Sequence, residues 1–325
     1  MRGDNLAAKD GAHIVKRKRR RFTWDDLELT LLSFPTIAWL IAFCYVPMFG
    51  IVFAFKNYKY KPGKGFLYSL FVSSKWVGLK NFEFFFSSQD AVRTIGNTLM
   101  YSVSFLIIDL VAAVVLAWML YYLRSRIATK FYNTVVIIPK FMSMVIVAYI
   151  VYAILSPTYG LLNQIITRLG GTGINWYAEP KYWPLILTVT HVWQTVGMNC
   201  VLYYSSLMSM DNALVEAAEM DGANRLQQIR HVVIPHLVPI MVITTILSIG
   251  SLFSSSLDLF YQIPKNQGLL YSTTDTINTY VYRALLEGSL EKSAAINLFQ
   301  SAVGFVLVVG TNAIVKKISP ENSLF

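Results

Sequence analysis

Charged residues are scarce in this sequence. Only 14% of its 325 residues are Asp, Glu, Lys or Arg, whereas a soluble domain carries about 25%. Hydrophobic residues make up 55% of the chain, and the mean hydropathy is +0.48. This composition excludes a disordered chain and argues against a water-soluble fold. The few charges are unevenly placed, so that long uncharged windows lie between them.

Residues that build disulfides, metal sites or catalytic centres are also scarce. The sequence has two cysteines, Cys44 and Cys200, and both lie inside apolar windows, so neither a disulfide framework nor a thiol pair is indicated. The histidines have no metal-ligand spacing with Cys or acidic residues. They are His13, His191, His231 and His236. We therefore expect no metal, no cofactor and no catalytic residue in this chain.

Apolar windows long enough to cross a bilayer recur along the chain. About 20 apolar residues in a helix span the hydrocarbon layer, and a helix satisfies its backbone groups within the segment. The predicted spans are 29–55, 94–123, 131–156, 182–210, 232–257 and 293–315. A soluble bundle of buried helices would need polar outer faces, which these windows lack. The sequence therefore predicts an all-α, polytopic membrane protein with six transmembrane helices.

The basic residues predict how the spans are oriented. Lys and Arg in short loops near span ends are retained in the cytoplasm. Residues 16–21 are all Lys or Arg, which places the N-terminal tail, 1–26, in the cytoplasm. Six crossings return the C-terminal tail, 319–325, to the same side, and the spans form one transmembrane domain over 27–318. The first window is too long for the apolar part of a cleavable signal peptide, so we expect it to remain as a span.

The predicted inner loop, 211–232, differs from the spans on either side of it because it is polar and rich in alanine. Either of its first two residues can cap a helix. Gly222 permits a tight backbone turn, and residues 224–230 can form a second amphipathic helix. We expect a small helix, a bend and another short helix on the cytoplasmic face.

The same loop carries a spaced motif. Glu-Ala-Ala is followed by three residues, Gly, nine residues, an aliphatic residue, one residue and then aliphatic-Pro. These positions are Glu216, Ala217, Ala218, Gly222, Val232, Ile234 and Pro235. The spacing resembles the cytoplasmic signature of permease subunits in binding-protein-dependent ABC importers, although Val232 and Ile234 stand where that signature usually has Ile and Leu. Asp221 and Ala223, which flank the glycine, and residues 156–163 are similar to the carbohydrate branch, which includes the maltose-importer membrane subunits.

The resemblance implies an ABC importer permease fold and a set of partners. Glu216 would be the charged contact of a coupling helix with an ATPase subunit, Ala217 and Ala218 its close-packed surface, and Gly222 its bend. The partners would be a second, different permease subunit, two ATPase subunits that bind ATP and Mg, and an external solute-binding protein, in a bacterial cytoplasmic membrane. Residues 63–65 lack the spacing of a phosphate-binding loop, so ATP hydrolysis would belong to a partner and not to this chain.

Polar residues inside the spans are candidates for the substrate path, because they are costly in lipid. Lys140 lies about 13 Å into the third predicted helix, at 1.5 Å per residue. It could line the path and attract an anionic sugar, or it could snorkel or pair with Asp109 or Asp258. The resemblance adds polar and aromatic residues of the helices flanking the coupling loop, although the serines could equally serve helix packing. These candidates are His191, Trp193, Gln194, Thr195, Asn199, Ser248, Ser251 and Ser255.

The function implied is the import of an oligosaccharide or other complex carbohydrate. A uronate-containing sugar, such as one derived from alginate or pectin, would suit Lys140. The alternative is an ion-coupled secondary transporter that uses Asp109, Lys140 and Asp258. That alternative explains the intramembrane charges but leaves the inner motif without a purpose. A membrane enzyme is a third class, and it lacks a catalytic constellation.

Overall fold

The computed structural model describes residues 24–324. Most of the predicted cytoplasmic tail, 1–26, therefore lies outside the described residues. The chain divides into two units, Met1–Gly50 and Ile51–Phe325. In the first unit, the α-helix Trp24–Leu40 continues through the π-helix Ile41–Tyr45 into the α-helical turn Val46–Met48. Its apolar side chains are mostly exposed, as expected for a helix surrounded by lipid.

Helices that are long and apolar enough to span a membrane match most of the predicted windows. The continuous ones are Leu27–Phe55, Gln89–Tyr121, Pro180–Met208, Arg225–Gly250 and Leu290–Ile318. Two further helical parts, Arg126–Phe141 and Met144–Leu155, pass the same test only when they are taken together as one bent span, which gives six. We number these six spans in chain order. The prediction of an all-α polytopic membrane fold is confirmed, with one short β-ribbon added outside the spans.

The third span is broken, and the prediction of one continuous helix over 131–156 is wrong. The α-helix Arg126–Ile137 passes into the 3-10 helix Ile138–Phe141, and the α-helix Met144–Leu155 follows at an angle of 99°. Pro139 contributes to the break, because proline has no N–H and disfavours helical backbone in the residue before it. The Gln194 side-chain amide donates to the Met142 carbonyl at 3.3 Å, which satisfies a backbone group at the break.

The fifth span begins earlier and ends earlier than the predicted window 232–257. Asn224 and Gln227 form a capping box at its start. The helix continues through Arg225–Gln228, the π-helix Ile229–Val233 and the α-helix Ile234–Gly250. The expected second short helix of the inner loop is therefore the first turn of this span. Residues 251–256 contain no helix, so the chain is unwound where the window still predicted a span.

The connections contain short elements. Strands Lys56–Asn57 and Lys75–Trp76 pair antiparallel, with Lys56 opposite Trp76. The remaining α-helices are Phe66–Tyr68, Lys80–Phe86, Leu161–Arg168, Asn212–Met220, Leu257–Gln262, Tyr271–Thr274 and Ile277–Leu286. The π-helix Ser69–Ser73 and five 3-10 helices complete the structure: Phe49–Phe55, Trp176–Ala178, Pro180–Tyr182, Gly268–Leu270 and Pro320–Asn322.

Small residues let the spans approach closely. A Cβ at Gly304 of the sixth span would lie 2.5 Å from the carbonyl oxygen of Gly250 in the fifth. A Cβ at Gly197 of the fourth span would lie 2.0 Å from the carbonyl oxygen of Val136 in the third. Association of helices in lipid depends on such van der Waals contact between backbones. Both glycines therefore fix the separation of neighbouring spans.

A buried carboxylate ties the start of the second span to a later helix. Asp275 has a fully buried side chain, and it accepts hydrogen bonds from Arg93 at 2.9 Å and from Arg283 at 2.6 Å. The Thr279 hydroxyl donates to the same carboxylate at 2.8 Å. Two guanidinium groups and a hydroxyl thus satisfy a charge that would be very unfavourable in isolation.

Candidate substrate cavity and coupling loop

A cavity of about 440 Å³ lies between the second span, the fourth span and the unwound segment 251–256. We call it the Asp109 cavity. Its walls combine hydroxyl, amide and carboxylate groups with the rings of Tyr101, Phe105 and Phe260. Ligand sites in proteins typically have such a mixture of apolar walls and a few polar groups. This lining makes the Asp109 cavity the candidate functional site.

Asp109 and His191 face each other in the wall of the cavity. His191 Nε2 lies 2.9 Å from Asp109 Oδ2, at which distance an ionised carboxylate accepts a hydrogen bond from the ring N–H. The Thr195 hydroxyl lies 3.4 Å from both carboxylate oxygens. Phe105 stacks on the imidazole, with the ring centroids 3.8 Å apart. The second and fourth spans are thereby joined at the cavity wall.

The unwound segment supplies serine side chains to the same cavity. Irregular backbone at membrane depth is tolerated where it is buried in protein or lines a water-filled cavity. Ser248, in the last turn of the fifth span, Ser251, which caps it, and Ser255 all line the Asp109 cavity. The expectation that all three lie within the helix that follows the coupling loop is wrong for Ser251 and Ser255, because the helix ends at Gly250. The Ser255 hydroxyl donates to Thr276 Oγ1 at 2.8 Å and so holds the segment in place.

The predicted residues of the fourth span lie in three different environments. Asn199 lines the Asp109 cavity together with His191, and Thr195 contacts Asp109 from the same side. Gln194 is buried against the break in the third span instead. Trp193 is 43% exposed and is not among the residues lining the cavity.

Lys140 does not lie deep inside a straight helix. It is an exposed residue of the 3-10 helix at the break in the third span. Asp109 is engaged by His191, and Asp258 is exposed in the first turn of the helix Leu257–Gln262. Neither carboxylate lies within 4.0 Å of the lysine, and across residues 24–324 the Lys140 ammonium has no ion pair. Of the alternatives given for Lys140, the pair with Asp109 or Asp258 is therefore wrong.

Other cavity residues were not predicted from the sequence. Tyr203 and Thr244 line the Asp109 cavity, and their hydroxyl oxygens lie 2.9 Å apart, which joins the fourth and fifth spans. A second cavity of about 740 Å³, the Gln300 cavity, shares Ser251 and Ser254 with the first. The Gln300 amide donates to the carbonyl of Phe253 and to Asn278. These residues are polar side chains within apolar helices, and that contrast is the sequence signal that could have indicated the lining of both cavities.

The inner loop forms the helix Asn212–Met220, and Asp211 caps it by accepting a hydrogen bond from the Ala213 N–H at 3.0 Å. Glu216 and Ala217 are exposed, and Ala218 is half-buried. Gly222 has a φ of 75°, a left-handed conformation that glycine adopts without strain. Asp221 and Ala223 lie beside this turn, and Ile234 and Pro235 follow in the fifth span.

Side chains join this loop to the C-terminal end of the second span. The Tyr122 hydroxyl donates to Gln228 Oε1 at 2.5 Å, and the Gln228 amide donates to the Ala223 carbonyl at 3.0 Å. The Arg225 guanidinium lies 4.2 Å from the centre of the Tyr122 ring and 3.6 Å from the Glu219 carboxylate. The loop therefore contacts the same helix that carries Asp109.

This architecture is that of a membrane transport component with an exposed inner loop helix. Residues 109–320 match the family described as binding-protein-dependent transport system inner membrane component, and the chain belongs to this family. The polygalacturonan/rhamnogalacturonan transport system permease protein YteP of Bacillus subtilis (strain 168) is 32% identical over 97% of this chain and 96% of that protein. Protein LplB of the same organism is 31% identical over 91% of each chain.

Two solved structures have the same fold. One is a crystal structure of a bacterial ABC transporter involved in the import of the acidic polysaccharide alginate, with a TM-score of 0.79 and 29% identity over 91% of this chain and 99% of that chain. The other is the alginate transporter in complex with alginate pentasaccharide-bound periplasmic protein, with a TM-score of 0.78 and 28% identity over 91% and 98% of the two chains. The predicted ABC importer permease fold is confirmed. The chain is a multi-pass permease component, and the ion-coupled alternative is set aside.

Proposed function

We propose that this chain is one of two different permease subunits in an ATP-driven importer of acidic oligosaccharides, which an external solute-binding protein delivers. The observation that carries the proposal is the Asp109 cavity, where hydroxyl and amide groups suit sugar hydroxyls and aromatic rings suit pyranose faces. The acidic class is supported by the similarity to a polygalacturonan/rhamnogalacturonan permease and to the alginate importer. The alginate importer is described as importing an acidic polysaccharide, and galacturonan chains carry uronate carboxylates.

The proposed substrate path follows the wall of the Asp109 cavity. Asn199, Ser248 and Ser251 would bind sugar hydroxyls, while the pair of His191 and Asp109 would set the charge of the wall. Thr195 and Ser255 would orient their neighbours through hydrogen bonds. Gln194 supports the break in the third span, and Trp193 does not line the cavity, so we assign no sugar contact within this cavity to either residue.

We propose that the Lys140 ammonium binds the carboxylate of an anionic substrate. A charge within a membrane span is unfavourable unless it faces a cavity or a partner. No carboxylate among residues 24–324 lies within 4.0 Å of the ammonium, so none of them neutralises its charge. A uronate carboxylate at the interface with the second permease subunit would satisfy it.

In the proposed assembly, the exposed helix of the loop contacts an ATPase subunit. Two ATPase subunits would bind ATP and Mg, and one would receive the helix through Glu216, Ala217 and Ala218, with Gly222 forming the bend. The loop would face the cytoplasm of a bacterium, with both termini on that side of the cytoplasmic membrane and residues 27–318 as the transmembrane domain. The basic residues Lys316 and Lys317 support this orientation.

Purification and reconstitution test the proposal together. The tagged protein, extracted from native membranes in mild detergent, should bring with it a second permease, an ATPase and a binding protein. In proteoliposomes the complex should import an oligogalacturonate with ATP inside and fail to do so without ATP. Uptake that needed only an ion gradient would overturn the ATP-driven mechanism, and uptake of neutral oligosaccharides alone would overturn the substrate class.

A matched pair of variants tests the ATPase contact. Glu216→Ala should reduce the amount of ATPase recovered with the permease, because it removes the charged group of the loop helix. Glu287→Ala is the control, since Glu287 is also exposed but follows the helix Ile277–Leu286, far along the chain from the loop. Equal recovery of the ATPase with both variants would contradict the proposed role of Glu216.

A further inference from the structure

A smaller cavity lies apart from the Asp109 cavity, on the second half of the third span. It has a volume of about 370 Å³, and we call it the Lys265 cavity. Its polar lining comes from Tyr149, Tyr261, Gln262, Lys265 and Asn266. Phe260 lines the Asp109 cavity and Tyr261 lines this one, so the helix Leu257–Gln262 separates the two.

The backbone that presents the lysine is strained. Lys265 and Asn266 are consecutive residues with φ angles of 53° and 47°. Asparagine tolerates this left-handed region, whereas lysine rarely adopts it. Strained residues of this kind persist only where the surrounding structure enforces them, and they are concentrated at functional sites. The turn therefore holds the lysine in a position that an unconstrained chain would avoid.

Hydrogen bonds enforce the turn from several sides. The Asn266 N–H donates to the Tyr261 carbonyl at 3.1 Å, and the Tyr271 hydroxyl donates to Asn266 Oδ1 at 2.9 Å. The Tyr177 hydroxyl donates to the Ile263 carbonyl at 3.3 Å. Burial, with a smaller contribution from Tyr152, raises the pKa of Tyr177 above its usual value, so this phenol remains a donor at physiological pH.

The Lys265 ammonium has aromatic neighbours and no counterion. It lies 3.1 Å from the centre of the Tyr152 ring and 6.0 Å from that of Tyr149. In the described part of the chain, no carboxylate lies within 4.0 Å of it. The aromatic faces stabilise the cation without neutralising it, so an anion can still bind.

The other lining groups fit a sugar. Tyr149 is 68% exposed and offers a ring face on which a pyranose can stack. Gln262 and Asn266 offer amides that both donate and accept hydrogen bonds, as sugar hydroxyls require. A cation, an exposed aromatic face and two amides around one cavity are the groups that recognise a sugar carrying a carboxylate.

We propose that the Lys265 cavity is a second sugar subsite, which binds a uronate unit of the acidic oligosaccharide separately from the Asp109 cavity. This inference rests on the proposed function, because it assumes an acidic cargo. Lys265 binds the carboxylate and Tyr149 stacks on the ring. The subsite selects acidic over neutral chains before the sugar reaches the larger cavity.

The test compares variants of the complete reconstituted transporter with its binding protein. Lys265→Gln keeps a long polar side chain on the strained backbone and removes the charge, and Lys265→Arg restores the charge. Lys64→Gln is the matched control, because Lys64 also lies over a tyrosine ring, 5.2 Å from the centre of Tyr68, but lines none of the three cavities. Uptake of an oligogalacturonate and of a neutral oligosaccharide is measured at equal protein amounts.

We expect Lys265→Gln to raise the KM for the oligogalacturonate about fivefold, which is the effect expected from the loss of one exposed ion pair. The KM for any neutral oligosaccharide that is imported should stay unchanged, Lys265→Arg should restore acidic uptake, and Lys64→Gln should behave as the wild type. Unchanged acidic uptake by Lys265→Gln overturns the subsite alone. An equal loss for both sugars overturns it in favour of a contact with the binding protein. A wild type that imports only neutral sugars overturns the proposed function instead.

Discussion

His191 and Asp109 meet at 2.9 Å, across 82 positions of sequence, and join the second and fourth spans at the wall of the Asp109 cavity. Both side chains are 17% exposed, so the pair is mostly shielded from water. Phe105 covers one face of the imidazole. The contact fixes the Asp109 carboxylate in the wall of a cavity that is otherwise lined by hydroxyl, amide and apolar groups.

A double-mutant cycle should detect this pair. Asp109→Asn removes the charged acceptor and His191→Gln removes the ring donor, and each should destabilise the protein by about 1.5–3 kcal/mol. Because both changes break the same contact, the double variant should be little worse than either single one, with a coupling energy of about 1 kcal/mol or more. Thermal unfolding of the detergent-solubilised complex measures this. Additive effects would mean that the two side chains do not interact.

Asp275→Asn should be strongly destabilising. The change leaves Arg93 and Arg283 facing a neutral amide in a buried site, and breaking a buried pair in this way costs about 3–5 kcal/mol. Asp90→Asn is the control: Asp90 also pairs with Arg93, at 2.8 Å, but its side chain is 49% exposed, so the change should cost under about 1 kcal/mol. Similar melting temperatures for the two variants would contradict the role given to burial.

Gly304→Ala should weaken the packing of the fifth and sixth spans. The new methyl group would lie 2.5 Å from the backbone oxygen of Gly250, which cannot rotate away, so the helices must separate. Overpacking of this kind costs about 1–3 kcal/mol. Gly310→Ala on the same helix meets no atom within 4 Å and should be close to neutral. The melting temperatures of the two variants compare these sites directly, and equal values would disprove the close crossing.

Tyr122→Phe should reduce the number of sugars imported per ATP hydrolysed. It removes the hydroxyl that donates to Gln228 and keeps the ring beneath Arg225, so the loop helix is held less firmly to the second span. Loss of one hydrogen bond of about 1 kcal/mol corresponds to a roughly fivefold change in an equilibrium. The ratio of uptake to ATPase activity is the measurement.

Tyr132→Phe is the control for this coupling variant, because the Tyr132 hydroxyl has no hydrogen-bond partner within residues 24–324 and its ring is exposed. It should keep the wild-type ratio of uptake to ATP hydrolysis. If Tyr122→Phe also kept that ratio while hydrolysing ATP normally, the contact would be structural and not part of the coupling.

Lys140→Gln should lower the uptake of acidic sugars. The change removes the cation at the break in the third span, which we propose to meet a uronate carboxylate. Lys140→Arg preserves the charge and should retain most of the uptake. The initial rate is measured for an oligogalacturonate with each variant at equal expression. Undiminished acidic uptake by Lys140→Gln would remove this residue from the substrate path.

Some of the site could be predicted from sequence, and the rest depended on contacts between distant residues. The family resemblance indicated the helices that flank the inner loop, and the polar residues of those helices then gave His191, Asn199 and the three serines, which line the Asp109 cavity. Gln194 and Trp193 satisfy the same criterion, yet they lie against the third span and on an exposed surface. Helical spacing shows which residues share a face, but it does not show what that face contacts.

The sequence by itself determined the membrane class, the approximate position of most spans and the inner motif, because hydropathy and a spaced surface motif are local properties of the chain. Only the tertiary structure decided that the third span breaks beside Pro139, that the fifth ends at Gly250, and that Asp109 meets His191 instead of Lys140. A run of apolar residues is equally apolar whether its helix is straight or broken. Where it bends, and which charges meet, depends on side chains that other spans bring to it.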